Sequence, residues 1–513
     1  MNGAESLLET LTMGGVELCF MNPGTSEIHL VAALDGARGL RAVPCLFEGV
    51  ASGAADGYAR MSEKPACTLF HLGPGLSNAL ANLHNACRAQ VPLVNLVGDH
   101  ATFHRPLDPP LASDIEAIAR PFSKWLRSSR AAAELGGDGA AAVAAARTAS
   151  GQIATLIVPA DVAWNEGGSV AGVPASLPPP RADDACVEEA ARKLRNGRRT
   201  AIVLGSHILQ GASLTAAARI AAATGSKLFA TFAFARMERG AGRPVVERIA
   251  YIAEQAIAQL REFQQIVLVG APAPVAFFGH PSRPSLLAPE GCETVALAHS
   301  GEDCAGALEA LETALDARRI EPELESGEES APPRGAVTLT GLAQVVGAAL
   351  PQGAIVVDES ITSGRGLMAA TRAAPPHDWL VNTGGSIGLG MPLAVGAAIA
   401  CPERPVLCLE GDGSLMYTLQ ALWTAARESL AITAVVFANR SYAILKNELA
   451  ALGANPGPRA LGALDIGRPD IDFIALSKSL GVPATRAATL EEFATALQRG
   501  FASREPNLIE VPL

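Results

Sequence analysis

Short apolar runs alternate with alanine-rich stretches of helical period along most of the chain. Residues 406–409 predict a buried strand, residues 419–427 predict a helix, and residues 432–437 predict the next strand. The same alternation elsewhere in the chain is typical of parallel α/β domains. We therefore expect an α/β fold in which mostly parallel sheets are flanked by helices.

Two proline-rich breaks interrupt this pattern. The first covers residues 173–180, and the second covers residues 321–333, which are acidic and lack apolar periodicity. Such a composition predicts an exposed linker. The sequence thus predicts three domains, at residues 1–170, 184–320 and 335–513, each of ordinary single-domain size.

Composition excludes several classes of protein. The net charge of −11 argues against nucleic acid or an anionic membrane as a partner. The N-terminus lacks the basic region of a signal peptide, and no apolar run reaches the ~20 residues of a transmembrane helix. Nine cysteines, without a Cys-x-x-Cys pair, are typical of reduced core residues. We expect a cytoplasmic protein.

Polar side chains follow two predicted strands near the C-terminus. Asp412 follows the first strand, in the segment Gly411-Asp412-Gly413-Ser414, and Asn439 follows the second. Because ligands of open α/β sheets bind at the carboxyl ends of strands, the two side chains should lie close together. Mg²⁺ prefers such oxygen ligands, and the glycines let main-chain N–H groups approach a phosphate. The alternative is an ordinary surface turn, since Gly-Asp-Gly is common in loops.

These two segments resemble the motif of thiamine diphosphate (ThDP) enzymes, in which Asn-Asn follows Gly-Asp-Gly after a βαβ interval. Ala438 replaces the first Asn, and Asn439 matches the metal-binding one. The resemblance implies Mg²⁺ bound by Asp412, Asn439 and the main-chain carbonyl of Ser441, with Tyr442 also in the cofactor site. It covers essentially the whole chain and implies two ThDP-binding domains around a Rossmann-like middle domain.

Glu48 stands between the apolar residues 41–47 and a predicted small-residue helix. Taken alone, it would be an acid stabilised at a helix N-terminus. Its sequence context resembles the glutamate helix of ThDP enzymes, in which the carboxyl group hydrogen-bonds the pyrimidine ring of the cofactor. The resemblance therefore implies that Glu48 both binds and activates the cofactor.

Two loops resemble the benzoylformate decarboxylase branch of this family. Residues 22–27 read Asn-Pro-Gly-Thr-Ser-Glu, which implies that Thr25 holds the substrate carboxylate. The alternative is a turn with Thr as a helix cap. His71 lies where that branch has a histidine acting as a proton relay, whereas most relatives have a small hydroxyl residue. The alternative for His71 is a hydrogen-bonded structural histidine.

The remaining cofactor candidates lie in the C-terminal third. The resemblance implies that Ile387 separates the two rings of ThDP and that the region of Gly385 offers main-chain acceptors to the pyrimidine. Ser360 and Thr362 follow the predicted strand 354–357 and are candidates for binding the diphosphate.

Three other histidines lie in segments that could contribute to a site. His100 and His104 follow the predicted strand 93–97, but no third zinc ligand is apparent, so we do not expect a metal there. Two alternatives stay open for them: side chains that face the substrate, and hydrogen-bonded loop histidines. The benzoylformate decarboxylase branch has a second catalytic histidine near the sequence position of His280. The two positions are out of register by about three residues, so His280 is a weak match. FAD, which acetolactate synthases bind in the middle domain, is not expected because no Gly-x-Gly-x-x-Gly follows the strands there.

The sequence thus predicts a ThDP- and Mg²⁺-dependent enzyme that decarboxylates a 2-oxo acid or a related carbonyl compound. Three alternatives remain open: a carboligase forming an acyloin or an acetolactate-type product, a 2-hydroxyacyl lyase, and a non-catalytic scaffold. The scaffold does not explain why Glu48, Asp412 and Asn439 occur together. The resemblance also implies a homodimer or homotetramer whose active sites are shared between subunits.

Overall fold

The computed structural model describes residues 1–281, 283–327 and 331–513. Its strands form three sheets flanked by helices, which confirms the predicted α/β fold. The described helices do not include one that is long and apolar enough to cross a membrane.

The N-terminal sheet has six strands, all paired in parallel. They are β1 (Leu18–Asn22), β2 (Arg41–Pro44), β3 (Ala66–Phe70), β4 (Leu93–Asp99), β5 (Trp125–Ser128) and β6 (Ile153–Pro159). Their order across the sheet is β2-β1-β3-β4-β6-β5. The helices of this part are α1 (Gly3–Met13), α2 (Ile28–Ala33), α3 (Glu48–Ser62), α4 (Leu72–Ala89), α5 (Ile115–Ala119), α6 (Ala132–Ala146) and α7 (Ala160–Trp164).

The middle part contributes strands to two sheets. Its strands are β7 (Thr200–Leu204), β8 (Lys227–Ala230), β9 (Met237–Arg239), β10 (Glu247–Arg248), β11 (Gln265–Val269) and β12 (Glu293–Ala298). The middle sheet is parallel, in the order β10-β8-β7-β11-β12, and β9 is not part of it. The helices are α8 (Asp184–Arg195), α9 (Gly211–Thr224), α10 (Ala253–Leu260) and α11 (Cys304–Ala314).

The C-terminal sheet contains β13 (Ile355–Glu359), β14 (His377–Val381), β15 (Val406–Gly411), β16 (Ile432–Ala438), β17 (Ala484–Arg486) and β18 (Asn507–Pro512). Its order is β17-β18-β16-β15-β13-β14-β9, and β9 pairs antiparallel with β14. The helices are α12 (Leu339–Ala349), α13 (Leu367–Ala370), α14 (Gly390–Ala400), α15 (Asp412–Leu415), α16 (Ala421–Arg427), α17 (Ala443–Ala451), α18 (Pro458–Gly462), α19 (Phe473–Ser479) and α20 (Leu490–Ser503).

The central strands are mostly apolar because helices cover both faces of these sheets. Every residue of β4 and of β16 is buried, including the polar Asn95, Asp99 and Thr433. This explains why these strands appear in the sequence as mostly apolar runs rather than as alternating patterns.

Helices α3 and α14 join the N-terminal and C-terminal sheets through small residues. A Cβ atom at Gly57 would lie 2.1 Å from the carbonyl oxygen of Leu393, and one at Gly396 would lie 1.9 Å from that of Ala54. Only glycine permits such a close approach of two helix backbones. The start of α3 lies beside the loop that precedes α14, because the side-chain amide of Asn82 donates to the carbonyl oxygens of both Gly49 and Gly388.

A buried ion pair connects all three parts of the chain. Asp56 and Arg60 are one helical turn apart in α3, and their side chains are 2.7 Å apart. The Arg60 guanidinium also donates to the carbonyl oxygens of Ala235 and Val381, at 3.0 and 2.8 Å, and to the hydroxyl of Thr383. We refer to these contacts as the Arg60 junction.

The two predicted breaks differ from each other in the structure. Residues 173–180 contain neither helix nor strand. In the second break, Leu324 pairs with Pro244 and Glu325 forms an ion pair with Arg372, so this portion packs against the protein instead of being fully exposed. Residues 328–330 of that predicted linker lie outside the described residues, and the predicted domain limits stay predictions.

Candidate active site

The carboxyl ends of three neighbouring parallel strands carry the N-terminal candidates. Thr25 follows β1, Glu48 follows β2 and His71 follows β3. Because these strands are adjacent, in the order β2-β1-β3, the three residues lie at one edge of the sheet. Together with Glu27, whose carboxylate contacts His71, they form what we call the N-terminal half-site.

Glu48 is the first residue of α3 and is only 6% exposed. Its carboxylate accepts a hydrogen bond of 3.0 Å from the side-chain amide of Asn78. A Cβ atom at Gly75 would lie 3.2 Å from Oε1 of Glu48 and 3.4 Å from Cβ of His71. Glu48 and His71 therefore border the same glycine position, where the absence of a side chain leaves space between them.

A buried carboxylate fixes His71. Its Nδ1 lies 2.7 Å from Oε2 of Glu27, which also accepts the N–H of Gly24 at 2.8 Å. Burial raises the pKa of Glu27, and the hydrogen bonds from Gly24 and His71 oppose this shift. The side chain of His71 is 26% exposed, so a ring held on one side by Glu27 still reaches open space.

Glu27 is a functional candidate that the sequence prediction did not include. It is the last residue of the 22–27 segment and ends a short 3-10 helix, Thr25–Glu27. Among the described residues, its Oε1 has no hydrogen-bond partner. Thr25, two residues earlier, is exposed at the same edge. The sequence feature that could have identified Glu27 is its position as an acidic residue after an apolar strand and a turn.

Asp412 and Asn439 come together in the C-terminal sheet. Asp412 is buried, and its carboxylate accepts the main-chain N–H groups of Gly413 and Arg440 at 2.8 and 2.6 Å. Burial raises the pKa of Asp412, and these N–H groups oppose the shift. Since Arg440 directly follows Asn439, Asp412 is tied to the end of the neighbouring strand. The amide oxygen of Asn439 accepts the N–H of Ser441 at 2.9 Å.

The oxygen atoms available here fit Mg²⁺. Asp412 supplies a carboxylate, Asn439 an amide oxygen and Ser441 a main-chain carbonyl, all of them hard ligands. In the structure, the Ser441 carbonyl accepts the N–H of Ala443 at 2.8 Å. The described residues contain no cluster of three or more His, Cys, Asp or Glu that would bind a different kind of metal.

Other loops of the same sheet converge on Asp412. A Cβ atom at Gly411 would lie 3.7 Å from the hydroxyl of Ser414 and 3.9 Å from the side chain of Ile361, and one at Gly413 would lie 2.9 Å from the ring of Tyr442. Burial and the neighbouring phenol of Tyr417 raise the pKa of Tyr442.

Ser360 and Thr362, the two hydroxyl residues that are candidates for binding the diphosphate, differ in burial and in hydrogen bonding. The buried Ser360 hydroxyl donates to the carboxylate of Asp358, so it is already engaged. Thr362 is half-buried.

The loop with Gly385 and Ile387 lies between α4 and the C-terminal sheet. The side-chain amide of Asn82 donates to the carbonyl oxygens of both Gly49 and Gly388, at 2.8 and 3.1 Å. Gly385 is exposed, with a positive φ of 80°, and Ile387 is half-buried. We call this loop, with residues 358–363, 411–414 and 439–442, the C-terminal half-site.

The other histidines lie in different surroundings. The rings of His100 and His104 are 5.8 Å apart after β4. His280 pairs with Arg283 in an isolated bridge. Three residues before His280, the ring of Phe277 would be 2.7 Å from a Cβ atom at Gly385, so this segment borders the C-terminal half-site.

The two half-sites are not joined within the chain by their candidate side chains. In the described part of the protein, no hydrogen bond or ion pair links Glu48 or His71 to a residue of the C-terminal half-site.

Three comparisons with known proteins define the class. Residues 1–117 match the family "Thiamine pyrophosphate enzyme, N-terminal TPP binding domain", and residues 363–511 match "Thiamine pyrophosphate enzyme, C-terminal TPP binding domain". Thiamine pyrophosphate is another name for ThDP. The two matches contain the N-terminal half-site and most of the C-terminal half-site.

Similar proteins extend over the full chain. A putative acetolactate synthase large subunit, IlvX, from Mycobacterium tuberculosis is 52% identical over 100% of this chain and 99% of its own length. Benzoylformate decarboxylase from Pseudomonas aeruginosa is 28% identical over 98% of this chain and 97% of its own. The structure of a ThDP-dependent 4-hydroxybenzoylformate decarboxylase from Rhodococcus jostii RHA1 shares the fold, with a TM-score of 0.85 and 22% identity over 100% of this chain and 99% of that one.

The chain belongs to the thiamine pyrophosphate enzyme family. It is a ThDP-dependent enzyme of the group that contains decarboxylases and acetolactate synthases, which confirms the resemblance found in the sequence.

Proposed function

We propose that this enzyme is a Mg²⁺-dependent decarboxylase of 2-oxo acids. The observation that carries the proposal is the arrangement of Glu48 and His71 around Gly75, with His71 held by Glu27. Such an arrangement offers one carboxyl group to the cofactor and one imidazole to a substrate at the same edge of the sheet.

Bound ThDP would supply a nucleophilic carbon that adds to the substrate carbonyl and accepts the electrons released with CO₂. Asp412, Asn439 and the Ser441 carbonyl would hold Mg²⁺, and residues 411–414 with Thr362 would surround the diphosphate. Glu48 would hydrogen-bond the pyrimidine ring and exchange a proton with it.

His71 would transfer a proton at the reacting carbon. Glu27 binds Nδ1, so the other ring nitrogen, Nε2, is the atom that can donate to or accept from a substrate. Thr25, exposed at the same edge, would hold the substrate carboxylate through its hydroxyl. Protonation of the former carbonyl carbon releases an aldehyde, whereas its addition to a second carbonyl forms a new carbon–carbon bond.

We further propose a cytoplasmic homodimer or homotetramer with shared sites. The absence of contacts between Glu48 or His71 and the C-terminal half-site, among the residues described, supports sites that combine two chains. In the described structure, all nine cysteines are free thiols, as suits a reducing compartment.

Carboligation of the acetolactate synthase type is the second candidate. It is favoured by the 52% identity to the putative acetolactate synthase large subunit. The distinction depends on whether a proton or a second carbonyl compound reaches the reacting carbon first.

A product screen tests the proposal. The enzyme, loaded with Mg²⁺ and ThDP, is given a panel of aliphatic and aryl 2-oxo acids, with and without an acceptor aldehyde or a second 2-oxo acid. We expect CO₂ and aldehyde without acceptor. CO₂ release only when an acceptor is present would favour the carboligase, and no CO₂ from any substrate would argue against both.

A further inference from the structure

Glu359 is a buried carboxylate at the end of β13, directly before loop 360–363. Its Oε2 accepts three main-chain N–H groups, from Gly388, Leu389 and Gly390, at 2.9, 2.9 and 3.0 Å. Its Oε1 accepts the side-chain amide of Asn382 at 2.7 Å. Both oxygens therefore bind the loop that leads into α14.

Asn382 continues this network along the loop. Its amide oxygen accepts the N–H groups of Gly384 and Gly385, at 3.2 and 2.7 Å, and its NH₂ group also donates to the carbonyl of Ser386. Together, Glu359 and Asn382 bind main-chain groups of every residue from 384 to 390 except Ile387. The side chain that is expected to separate the cofactor rings is thus fixed from both sides.

Packing does not explain a carboxylate at this position. Burial raises the pKa of Glu359, and the N–H donors and Asn382 oppose that shift. Among the described residues, Glu359 forms no ion pair, and its partner in register on the neighbouring strand β15, Glu410, is also acidic. An apolar residue would avoid the cost of burying this group. What Glu359 gains instead is charge-assisted hydrogen bonding to the N-terminus of α14.

We propose that Glu359 is a positioning residue that couples the two cofactor loops of the C-terminal sheet. It fixes Gly385 and Ile387 relative to residues 360–363, so that the ring-binding loop and the diphosphate-binding loop keep one spacing. The inference rests on the proposed function, because this spacing matters only if ThDP spans both loops.

The isosteric variant Glu359→Gln tests the coupling. The new NH₂ group would face the NH₂ group of Asn382, so two donors meet and the hydrogen bond is lost. We expect ThDP affinity, measured by tryptophan fluorescence with saturating Mg²⁺, to fall about 10- to 100-fold. In the cofactor-free protein, hydrogen–deuterium exchange should become faster in residues 382–390. Glu312→Gln, at a buried carboxylate of α11, is the matched control and should change neither measurement.

A compensating variant separates positioning from a general loss of stability. In the double variant Glu359→Gln/Asn382→Asp, the new amide donates to the new carboxylate, which still accepts the N–H groups of Gly384 and Gly385 but no longer donates to the Ser386 carbonyl. The matched comparison is Asn382→Asp alone, which loses the same Ser386 contact and also places two carboxylates together. We expect the double variant to bind ThDP more tightly, and to exchange more slowly in residues 382–390, than Asn382→Asp alone.

The outcomes are distinguishable. Native affinity and native exchange in Glu359→Gln would overturn the proposal, as would a double variant no better than Asn382→Asp alone. If Glu359→Gln does not fold, the comparison of the double variant with Asn382→Asp decides. If the native protein itself does not bind ThDP, the proposed function fails, while exchange in residues 382–390 of the cofactor-free protein still tests whether Glu359 fixes this loop.

Discussion

In the N-terminal half-site, side chains hold side chains. Glu27 fixes the imidazole of His71, and Asn78 fixes the carboxylate of Glu48, while the strands below contribute only their ends. A substitution of Glu48 or His71 changes one functional group and leaves the main chain in place, whereas Glu27 also accepts the main-chain N–H of Gly24. We therefore expect defects in the chemical steps, with binding of the cofactor retained.

In the C-terminal half-site, side chains hold the main chain. Asp412 accepts N–H groups of Gly413 and Arg440, and Glu359 accepts three N–H groups of the loop before α14. Removing one carboxylate here releases a loop. We therefore expect the C-terminal half-site to contribute most of the binding energy for the cofactor and the N-terminal half-site to control proton transfer.

The largest effect is expected from Asp412→Ala. It removes a proposed metal ligand and also releases Arg440, so Mg²⁺ and ThDP should no longer raise the unfolding temperature. At a hundredfold excess over the dissociation constant, the native protein should gain about 2.7 kcal/mol from its ligand. Thermal unfolding with and without Mg²⁺ and ThDP measures the difference. Glu403→Ala, at an exposed side chain that precedes β15 and pairs with Arg504, is the control. An undiminished temperature shift in Asp412→Ala would remove it from the metal site.

Glu48→Gln should separate binding from chemistry. The amide keeps the shape of the side chain but cannot exchange a proton with the cofactor, so turnover should fall by about 10²- to 10⁴-fold. The affinity for ThDP should change far less. Steady-state kinetics measures the turnover, and titration with ThDP measures the affinity. Exchange of the reactive C2 proton of bound ThDP at the native rate would contradict the role given to Glu48.

Mixed oligomers test whether the two half-sites come from different chains. Glu48→Gln and Asp412→Ala subunits, each inactive alone, are dissociated, mixed and reassembled. About a quarter of the native number of sites should recover, since half of the dimers are mixed and each mixed dimer holds one intact site. Confirmed mixed dimers without activity would show that each site is built within a single chain.

His71→Ala should change the products. Loss of the imidazole should slow aldehyde release by about 10²- to 10⁴-fold, the usual value of general acid catalysis. Ligation to an added aldehyde should fall less, so the ratio of ligation product to aldehyde, measured by gas chromatography, should rise. A flat ratio with nearly native rates would make His71 a structural residue and favour the carboligase.

The smallest effect concerns Glu27 and pH. The unfolded chain loses this proton near the ordinary pKa of 4.5, whereas burial raises the pKa in the folded protein. Between the two values, the folded state binds more protons, so stability falls as pH rises. The unfolding free energy of the native protein, relative to Glu27→Gln, should therefore fall across this window in urea titrations. A difference that rises with pH would mean that Gly24 and His71 stabilise the carboxylate more than burial destabilises it.

Local patterns were sufficient for several central strands and for the loops that follow them. The apolar run before Gly411 and the one before Asn439 became β15 and β16, and their parallel pairing explains why Asp412 reaches the N–H of Arg440. The sequence shows where each apolar run ends, and in a parallel sheet the carboxyl ends of neighbouring strands lie at the same edge. Residues that follow two neighbouring strands are therefore expected to lie close together.

Contacts between distant residues could not be predicted in this way. Glu27 and His71 are 44 residues apart, and their hydrogen bond exists because β1 and β3 are neighbours. Strand β9 is preceded and followed by strands of the middle sheet, yet it pairs with β14 of the C-terminal sheet. A local sequence pattern determines neither the order of the strands in a sheet nor the hydrogen-bond partner of a carboxylate.

The Arg60 junction affects how parts of relatives can be recombined. On the N-terminal side it needs two particular side chains, Asp56 and Arg60. Both lie on α3, so a chimera that includes the whole helix contains both of them. On the other side, two of its acceptors are the main-chain carbonyls of Ala235 and Val381, which any residue type can supply. Chimeras that exchange the whole N-terminal segment should therefore keep this junction if the backbone is preserved, whereas a crossover within α3 would separate the ion pair.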